Sequence, residues 1–208
     1  NEIEDSSISI KNLGFHYIES EPVLKNINLH IAQGSSLALV GPTGSGKSTL
    51  LKLLARLYEP TQGEILIGKN TLCSIQRDVL KYHVVMVPQE PAIFHESLFF
   101  NITLGRQDIT LEMIEDVVKR SGLQHFVDSL ENSYDSILDE GGESLSAGQR
   151  QLVALMRALV SPANILIFDE ATANIDTETE RLIQSTINFA MTKKTVIIVA
   201  HRLSTIRD

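Results

Sequence analysis

Cysteine is nearly absent from this sequence, and so are long apolar runs. The single cysteine, Cys73, excludes an internal disulfide and any zinc site built from several cysteines. A transmembrane helix needs roughly twenty consecutive apolar residues, and the sequence contains no such run. Residues 1–5 are acidic, unlike the start of a signal peptide. These absences fit a reducing compartment and still leave room for a separate membrane partner.

Basic residues are also fewer than acidic residues. The chain has 18 lysine and arginine residues against 26 acidic ones, which gives a net charge of −8. This balance argues against a general nucleic-acid surface. No low-complexity tract or internal repeat is present, and 43% of the 208 residues are hydrophobic. We therefore expect one ordered domain over residues 1–208, with no nucleic-acid partner.

Apolar periodicity predicts two kinds of strand in this chain. Residues 27–31 alternate apolar and polar side chains, which is typical of a half-buried antiparallel strand. Continuous apolar runs instead predict strands buried on both faces, as in a parallel sheet whose strands alternate with helices. These runs lie at residues 36–40, 84–87, 165–168 and 195–199, and helices are expected at 50–57, 147–160 and 176–191.

Strand signals disappear between residues 90 and 139. Helical segments are expected to begin near Ser97, after Thr110 and near Leu123. The predicted fold class is therefore α/β, with a mostly parallel sheet, an antiparallel β subdomain and an inserted α-helical subdomain. The core with its β subdomain is assigned to 1–89 and 140–208, and the helical subdomain to 90–139.

Residues 41–49 fit the pattern G-x-x-x-x-G-K-[ST] at every fixed position. Such a loop turns backbone N–H groups around an anion; Lys47 can reach the β- and γ-phosphates, and Ser48 can place its hydroxyl on Mg²⁺. A strand precedes the loop and a helix follows it, which is the required order. The α/β core over 1–89 and 140–208 is therefore predicted to be an ATP-binding P-loop NTPase core. A glycine-rich turn that binds nothing is the disfavoured alternative. The predicted phosphate-binding residues are Gly41, Pro42, Thr43, Gly44, Ser45, Gly46, Lys47, Ser48 and Thr49.

Two carboxylates, Asp169 and Glu170, follow the apolar run 165–168. They lie at the carboxyl end of a predicted parallel strand, where ligands of such sheets bind. One fits an Mg²⁺ ligand, directly or through water, and the other fits a group that orients or deprotonates the attacking water. An ordinary strand that ends in a polar turn is the alternative.

The segment Leu-Ser-Ala-Gly-Gln at residues 145–149 opens a predicted helix. Ser146 and Gln149 fit a capping box, but a capped helix N-terminus also presents free N–H groups to an anion. This combination resembles the L-S-G-G-Q signature of ABC-type ATPases, with Ala147 at the first glycine. The resemblance implies that Ser146, Gly148 and Gln149 contact ATP.

Further positions match the same family in its order. The resemblance implies that Tyr17 stacks on adenine, that Gln89 touches Mg²⁺ and the water, and that His201 contacts the γ-phosphate. It also assigns Asp169 to Mg²⁺ and Glu170 to the catalytic water. Residues 174–176 match a loop at the family's dimer interface, although Asp176 also fits a plain helix N-cap.

The resemblance covers residues 8–208, and it is closest to exporters. Residues 89–94, 97–102 and 140–143 are similar to exporter segments. The implied function is ATP hydrolysis by two domains that close head to tail over ATP and Mg²⁺, beside transmembrane domains, at the cytoplasmic face of a membrane. A nucleotide-gated half with little hydrolysis and an importer subunit stay open as alternatives. A chromosome or DNA-repair ATPase is disfavoured, because no coiled-coil insertion is visible. The family pattern also leads us to expect further chain before Asn1 and after Asp208.

Overall fold

The computed structural model describes residues 3, 5–169 and 175–199. Its residues form two compact units. The first takes residues up to 86 together with 163–169 and 191–199, and the second takes 87–162 and 175–190. The predicted helical subdomain, 90–139, lies within the second unit, which also includes helices that the sequence analysis assigned to the core.

The strands are β1 (Ile8–Ile18), β2 (Glu21–Ile31), β3 (Ser36–Leu39), β4 (Gln62–Ile67), β5 (Asn70–Thr71), β6 (Val84–Val87), β7 (Ile165–Asp169) and β8 (Thr195–Val199). The helices are α1 (Lys47–Leu54), α2 (Arg77–Leu80), α3 (Leu98–Thr103), α4 (Leu111–Ser121), α5 (Gln124–Asp128), α6 (Ala147–Val160) and α7 (Thr177–Met191). Three short 3₁₀ turns, Leu72–Ser74, Ser133–Asp135 and Glu140–Gly142, complete the described elements.

The antiparallel sheet has the strand order β2-β1-β4-β5. Ile8 lies opposite Ile31 on one neighbour and opposite Ile67 on the other, and Ile10 lies opposite Ile65. All five isoleucines are buried, and the residues between them face the other side of the sheet. This register gives the first unit one apolar sheet face.

The second sheet has the order β3-β8-β7-β6, and β8 pairs in parallel with both β3 and β7. In its register, Leu39, Val199 and Asp169 lie in one row at the carboxyl ends of three strands. The two central strands are buried almost throughout, as predicted. The edge strands are not: Leu37–Leu39 and Val84–Met86 are only half-buried. The prediction of two fully buried faces was wrong there, because an edge strand has a neighbour on one side only.

Helix α1 packs its leucines into the core of the first unit. Leu50, Leu51, Leu53 and Leu54 are buried in one cluster with the isoleucines of both sheets. The helix begins and ends three residues before the predicted range 50–57. It stops because Arg56 adopts a left-handed φ of 53°, which breaks the helical path.

Helix α6 is the buried centre of the second unit. Its apolar side chains recur with helical spacing, and Val153, Met156 and Ala158 are fully buried. Arg157 on the same helix donates from Nε and Nη2 to the backbone and side-chain oxygens of Asn101, which is itself fully buried. Burial lowers the pKa of Arg157 to about 10.

No helix within residues 3, 5–169 and 175–199 is both long and apolar enough to cross a membrane.

Candidate nucleotide site

The loop between β3 and α1 has backbone conformations that only glycine adopts easily. Gly44 and Gly46 have φ values of 81° and 89°. A Cβ on Gly46 would lie 2.8 Å from Leu24 Cδ2, so a side chain is excluded by contact as well as by φ. Gly46 is also the N-cap of α1 and has no side chain to cap it. The first N–H groups of α1 are therefore left for an anion.

Lys47 folds back over this loop. Its Nζ donates to the carbonyl oxygens of Gly41 and Pro42, both at 2.7 Å, and to Ser45 Oγ at 3.3 Å. The ammonium group is thus held at the mouth of the loop by three oxygens. A cavity of about 310 Å³ opens beside it, lined by Val23, Thr43, Gly44, Gly46, Lys47, Ser48 and Thr49. Positive charge and free backbone N–H groups together make this cavity an anion site.

Ser48 and Asp169 meet at this loop although 121 positions separate them in the chain. Ser48 Oγ donates to Asp169 Oδ1 at 3.2 Å. The parallel register explains the contact, because β7 ends in the same row as β3, which leads into the loop. A hydroxyl and a carboxylate are the hard oxygen ligands that Mg²⁺ prefers, so these residues fit the ion.

No group of three or more His, Cys, Asp and Glu side chains that could hold a metal was found in the described part of the chain.

Tyr17 lies at the end of β1 within an aromatic cluster. Its ring centroid is 4.9 Å from that of Phe15 and 5.3 Å from that of Tyr58, and both pairs are edge-to-face at 88°. Its hydroxyl is 3.2 Å from Thr49 Oγ1 on α1. The ring of Tyr17 is 49% exposed. An open aromatic surface is therefore fixed to the helix that carries the phosphate loop.

The signature segment lies in the second unit. Ser146 Oγ accepts from the N–H of Gln149, and Gln149 Oε1 accepts from the N–H of Ser146, which is the predicted capping box. A Cβ on Gly148 would lie 2.4 Å from Thr179 Cγ2 and 2.9 Å from Ile175 Cγ2. Gly148 therefore permits close approach between α6 and the start of α7.

Gln89 also lies in the second unit, on the exposed chain after β6. Gln151 Nε2 donates to the carbonyl oxygens of Gln89 and Pro88.

Asp176 Oδ1 accepts from the N–H of Thr179 at 2.9 Å, and this bond lowers the pKa of Asp176. Asp176 thus caps α7, as expected for the helix N-cap that the sequence offered beside the interface-loop interpretation.

The structure brings part of the predicted constellation together. In the first unit, Tyr17, Asp169 and the loop 41–49 form one site. Glu170, Asn174 and His201 lie outside the described residues. Sequence reasoning missed Tyr58, because a single tyrosine after a helix carries no spacing pattern. It also missed the hydrogen bond from the side chain of Gln151 to the backbone carbonyl of Gln89.

Comparison with known proteins agrees with this geometry. The sequence model of a family described as "ABC transporter" matches residues 24–173. The "Multidrug resistance-like ATP-binding protein MdlB" of Buchnera aphidicola subsp. Schizaphis graminum is 46% identical over 99% of this chain and 35% of that protein. The "Alpha-hemolysin translocation ATP-binding protein HlyB" of Escherichia coli O157:H7 is 41% identical over 97% of this chain and 29% of that protein.

A solved structure, "a bacterial Atm1-family ABC exporter with ATP bound", superposes with a TM-score of 0.89 at 35% identity, over 99% of this chain and 36% of that one. The chain thus spans about a third of the length of these proteins. The likeness confirms the predicted fold class, a P-loop NTPase core with a parallel sheet and an antiparallel β sheet. With the phosphate loop in place and most of its length matched, this chain belongs to the ABC transporter family.

Proposed function

We propose that this chain binds and hydrolyses ATP as the motor domain of an exporter. The observation that carries the proposal is the contact between Ser48 and Asp169 at the loop that holds Lys47. It joins a phosphate-binding loop to a carboxylate at the carboxyl end of a neighbouring strand. Those are the two elements that a P-loop NTPase uses on a nucleoside triphosphate and its cation.

The phosphates of ATP bind at the start of α1. The free N–H groups of the loop 41–49 and the ammonium group of Lys47 neutralise the β- and γ-phosphates. Tyr17, half-exposed and hydrogen-bonded to Thr49, offers its ring to the base.

Ser48 and Asp169 are the residues that would hold Mg²⁺, and the family pattern adds Gln89. The first two supply oxygens that already lie within hydrogen-bond distance of each other. When bound, Mg²⁺ would neutralise charge on the phosphate oxygens.

Hydrolysis needs a group that orients the attacking water, and Glu170 fills this role from its position directly after β7. Its carboxylate accepts the proton of the water as the water oxygen bonds to the γ-phosphorus. The bond from that phosphorus to the β,γ-bridging oxygen breaks, and ADP leaves. His201 follows the neighbouring strand β8 by two residues and contacts the γ-phosphate. Both assignments rest on sequence position within the family pattern.

A complete site requires two copies of the domain, which pair head to tail. The capped N-terminus of α6, with Ser146, Gly148 and Gln149, faces the γ-phosphate bound by the other copy. The capping box supports this role, because it fixes the helix end and uses only the N–H groups of Ser146 and Gln149.

The pair drives transmembrane domains at the cytoplasmic face of a membrane. This step is supported by the relatives, one named for multidrug resistance and another for α-hemolysin translocation, and by the ATP-bound exporter. Export is favoured over import for the same reason.

The test measures ATP affinity and phosphate release on the purified chain. Glu170→Gln is expected to retain ATP binding and to lower turnover by about 10²–10⁴-fold, the usual span for a general base. Ser48→Ala and Asp169→Asn are expected to abolish the gain in ATP affinity that Mg²⁺ gives over EDTA. Asp78→Asn, a change at a carboxylate that is 94% exposed, serves as the matched control. Failure of the wild-type chain to bind ATP would overturn the proposal.

A further inference from the structure

Tyr58 lies outside the phosphate loop 41–49, yet its ring contacts Tyr17, which is hydrogen-bonded to that loop at Thr49. It follows α1 and is 44% exposed. Its ring centroid is 5.3 Å from that of Tyr17 and 5.7 Å from that of the buried Phe15. The three rings therefore contact one another, and Tyr58 is the member that comes from the chain after α1.

Tyr17 is held at three points. Phe15 and Tyr58 both meet its ring at 88°, and Thr49 Oγ1 lies 3.2 Å from its hydroxyl. Edge-to-face pairs of this kind orient a ring because they align its quadrupole with that of its neighbour. The hydrogen bond fixes the position of the ring along α1, and the two ring contacts fix its tilt.

The three residues that contact Tyr17 belong to different parts of the fold. Phe15 is on β1, two residues from Tyr17, and its buried ring belongs to the core. Thr49 is buried on α1, directly after Ser48. Tyr58 closes the cluster from the loop that follows the same helix. The position of the open ring of Tyr17 relative to the phosphate loop thus depends on β1, on α1 and on the loop that follows α1.

We infer that Tyr58 is a positioning residue for the nucleobase: it sets the tilt of the Tyr17 ring and so determines how well a base stacks there when its phosphates occupy the loop 41–49. The inference rests on the proposed function, in which Tyr17 meets the base. Tyr58 is not among the residues proposed to hold the phosphates or their cation. Its loss should weaken the binding of ligands that have a base and leave base-free polyphosphate unaffected.

The experiment compares ATP with inorganic tripolyphosphate, which has the same phosphate chain without a base. Calorimetry on Tyr58→Leu is expected to show ATP affinity about 3- to 10-fold weaker, the range of a single aromatic contact, with tripolyphosphate affinity unchanged. Tyr58→Phe keeps the ring and should restore ATP affinity. Tyr82→Leu makes the same change at a tyrosine of similar exposure, 43%, after α2, and should bind both ligands normally.

The outcomes separate this inference from the proposed function. If wild type binds no ATP, the proposed function fails first. If wild type binds ATP and Tyr58→Leu binds it equally well, only the role of Tyr58 is overturned. If Tyr58→Leu weakens ATP and tripolyphosphate to the same degree, the ring supports the phosphate loop or the fold instead. The melting temperature of Tyr58→Leu, measured as a folding control, should equal that of the wild type.

Discussion

At the scale of single residues, Lys47 is the charge that the loop positions for its ligand. Carbonyl oxygens at 2.7 Å already order its side chain, so little conformational freedom is lost when phosphate arrives. A hydrogen bond to a charged group contributes about 1.5–3 kcal/mol. Lys47→Ala should therefore weaken ATP binding by about 10- to 100-fold in calorimetry. Lys52→Ala, on the same helix, is the matched control, and equal affinities of the two variants would contradict the assignment.

Gly148 gives a second prediction at this scale. The Cβ of Gly148→Ala would lie 2.4 Å from Thr179 Cγ2, so α6 and the start of α7 must separate. Overpacking of this kind costs about 1–3 kcal/mol of unfolding free energy. Urea denaturation should show the loss, and Thr179→Ser, which removes the contacting methyl, should recover part of it in the double variant. Additive effects of the two changes would argue against the contact as the cause.

At the scale of elements, the N-terminus of α6 combines a structural and a proposed functional role in Ser146. Ser146→Ala removes the cap and should cost about 1 kcal/mol of unfolding free energy. Ser146→Asp keeps a capping oxygen but adds a negative charge where the γ-phosphate is proposed to lie. We expect it to retain stability in urea denaturation and to lose ATP turnover. If Ser146→Asp kept full ATP turnover, the role of Ser146 would be limited to capping α6.

The cap of α7 gives a pH-dependent prediction. The bond from the N–H of Thr179 lowers the pKa of Asp176 below 3.8, so the folded state favours the ionised form. The stabilisation is therefore fully present above the unfolded pKa and is lost as pH falls through the lowered folded pKa. The melting temperature of Asp176→Ala should lie below that of wild type at pH 7, and the gap should narrow as pH is lowered through about 4 towards 2. A gap independent of pH would show that charge has no part in the cap.

At the scale of the whole molecule, the proposed active form is a pair. Glu170→Gln should accumulate the ATP-bound pair, since it slows the step that releases it. Sedimentation should then show a doubled mass with ATP and Mg²⁺ and a single chain with ADP. The double variant Glu170→Gln, Ser146→Asp should stay single, because the added charge repels the γ-phosphate across the interface. A Glu170→Gln chain that stays single at saturating ATP would refute the head-to-tail arrangement.

Short-range sequence patterns were enough to predict much of the fold. Most strands and helices were predicted from apolar periodicity. The capping box was predicted from Ser146 and Gln149 alone, because capping depends on atoms three residues apart. Burial of individual strands could not be predicted in the same way. The run 84–87 is as apolar as 165–168, but only the second lies inside its sheet.

The sequence by itself determined the phosphate loop, since Gly46, Lys47 and Ser48 act through backbone conformation and neighbouring atoms. It also determined family membership, because the motifs occur in the family's order. Only the tertiary structure decided which distant groups meet: strand register places Asp169 against Ser48, and the ring of Tyr58 packs against that of Tyr17. Such contacts join residues dozens of positions apart, and their distances depend on how strands pair and helices pack, which no local pattern encodes.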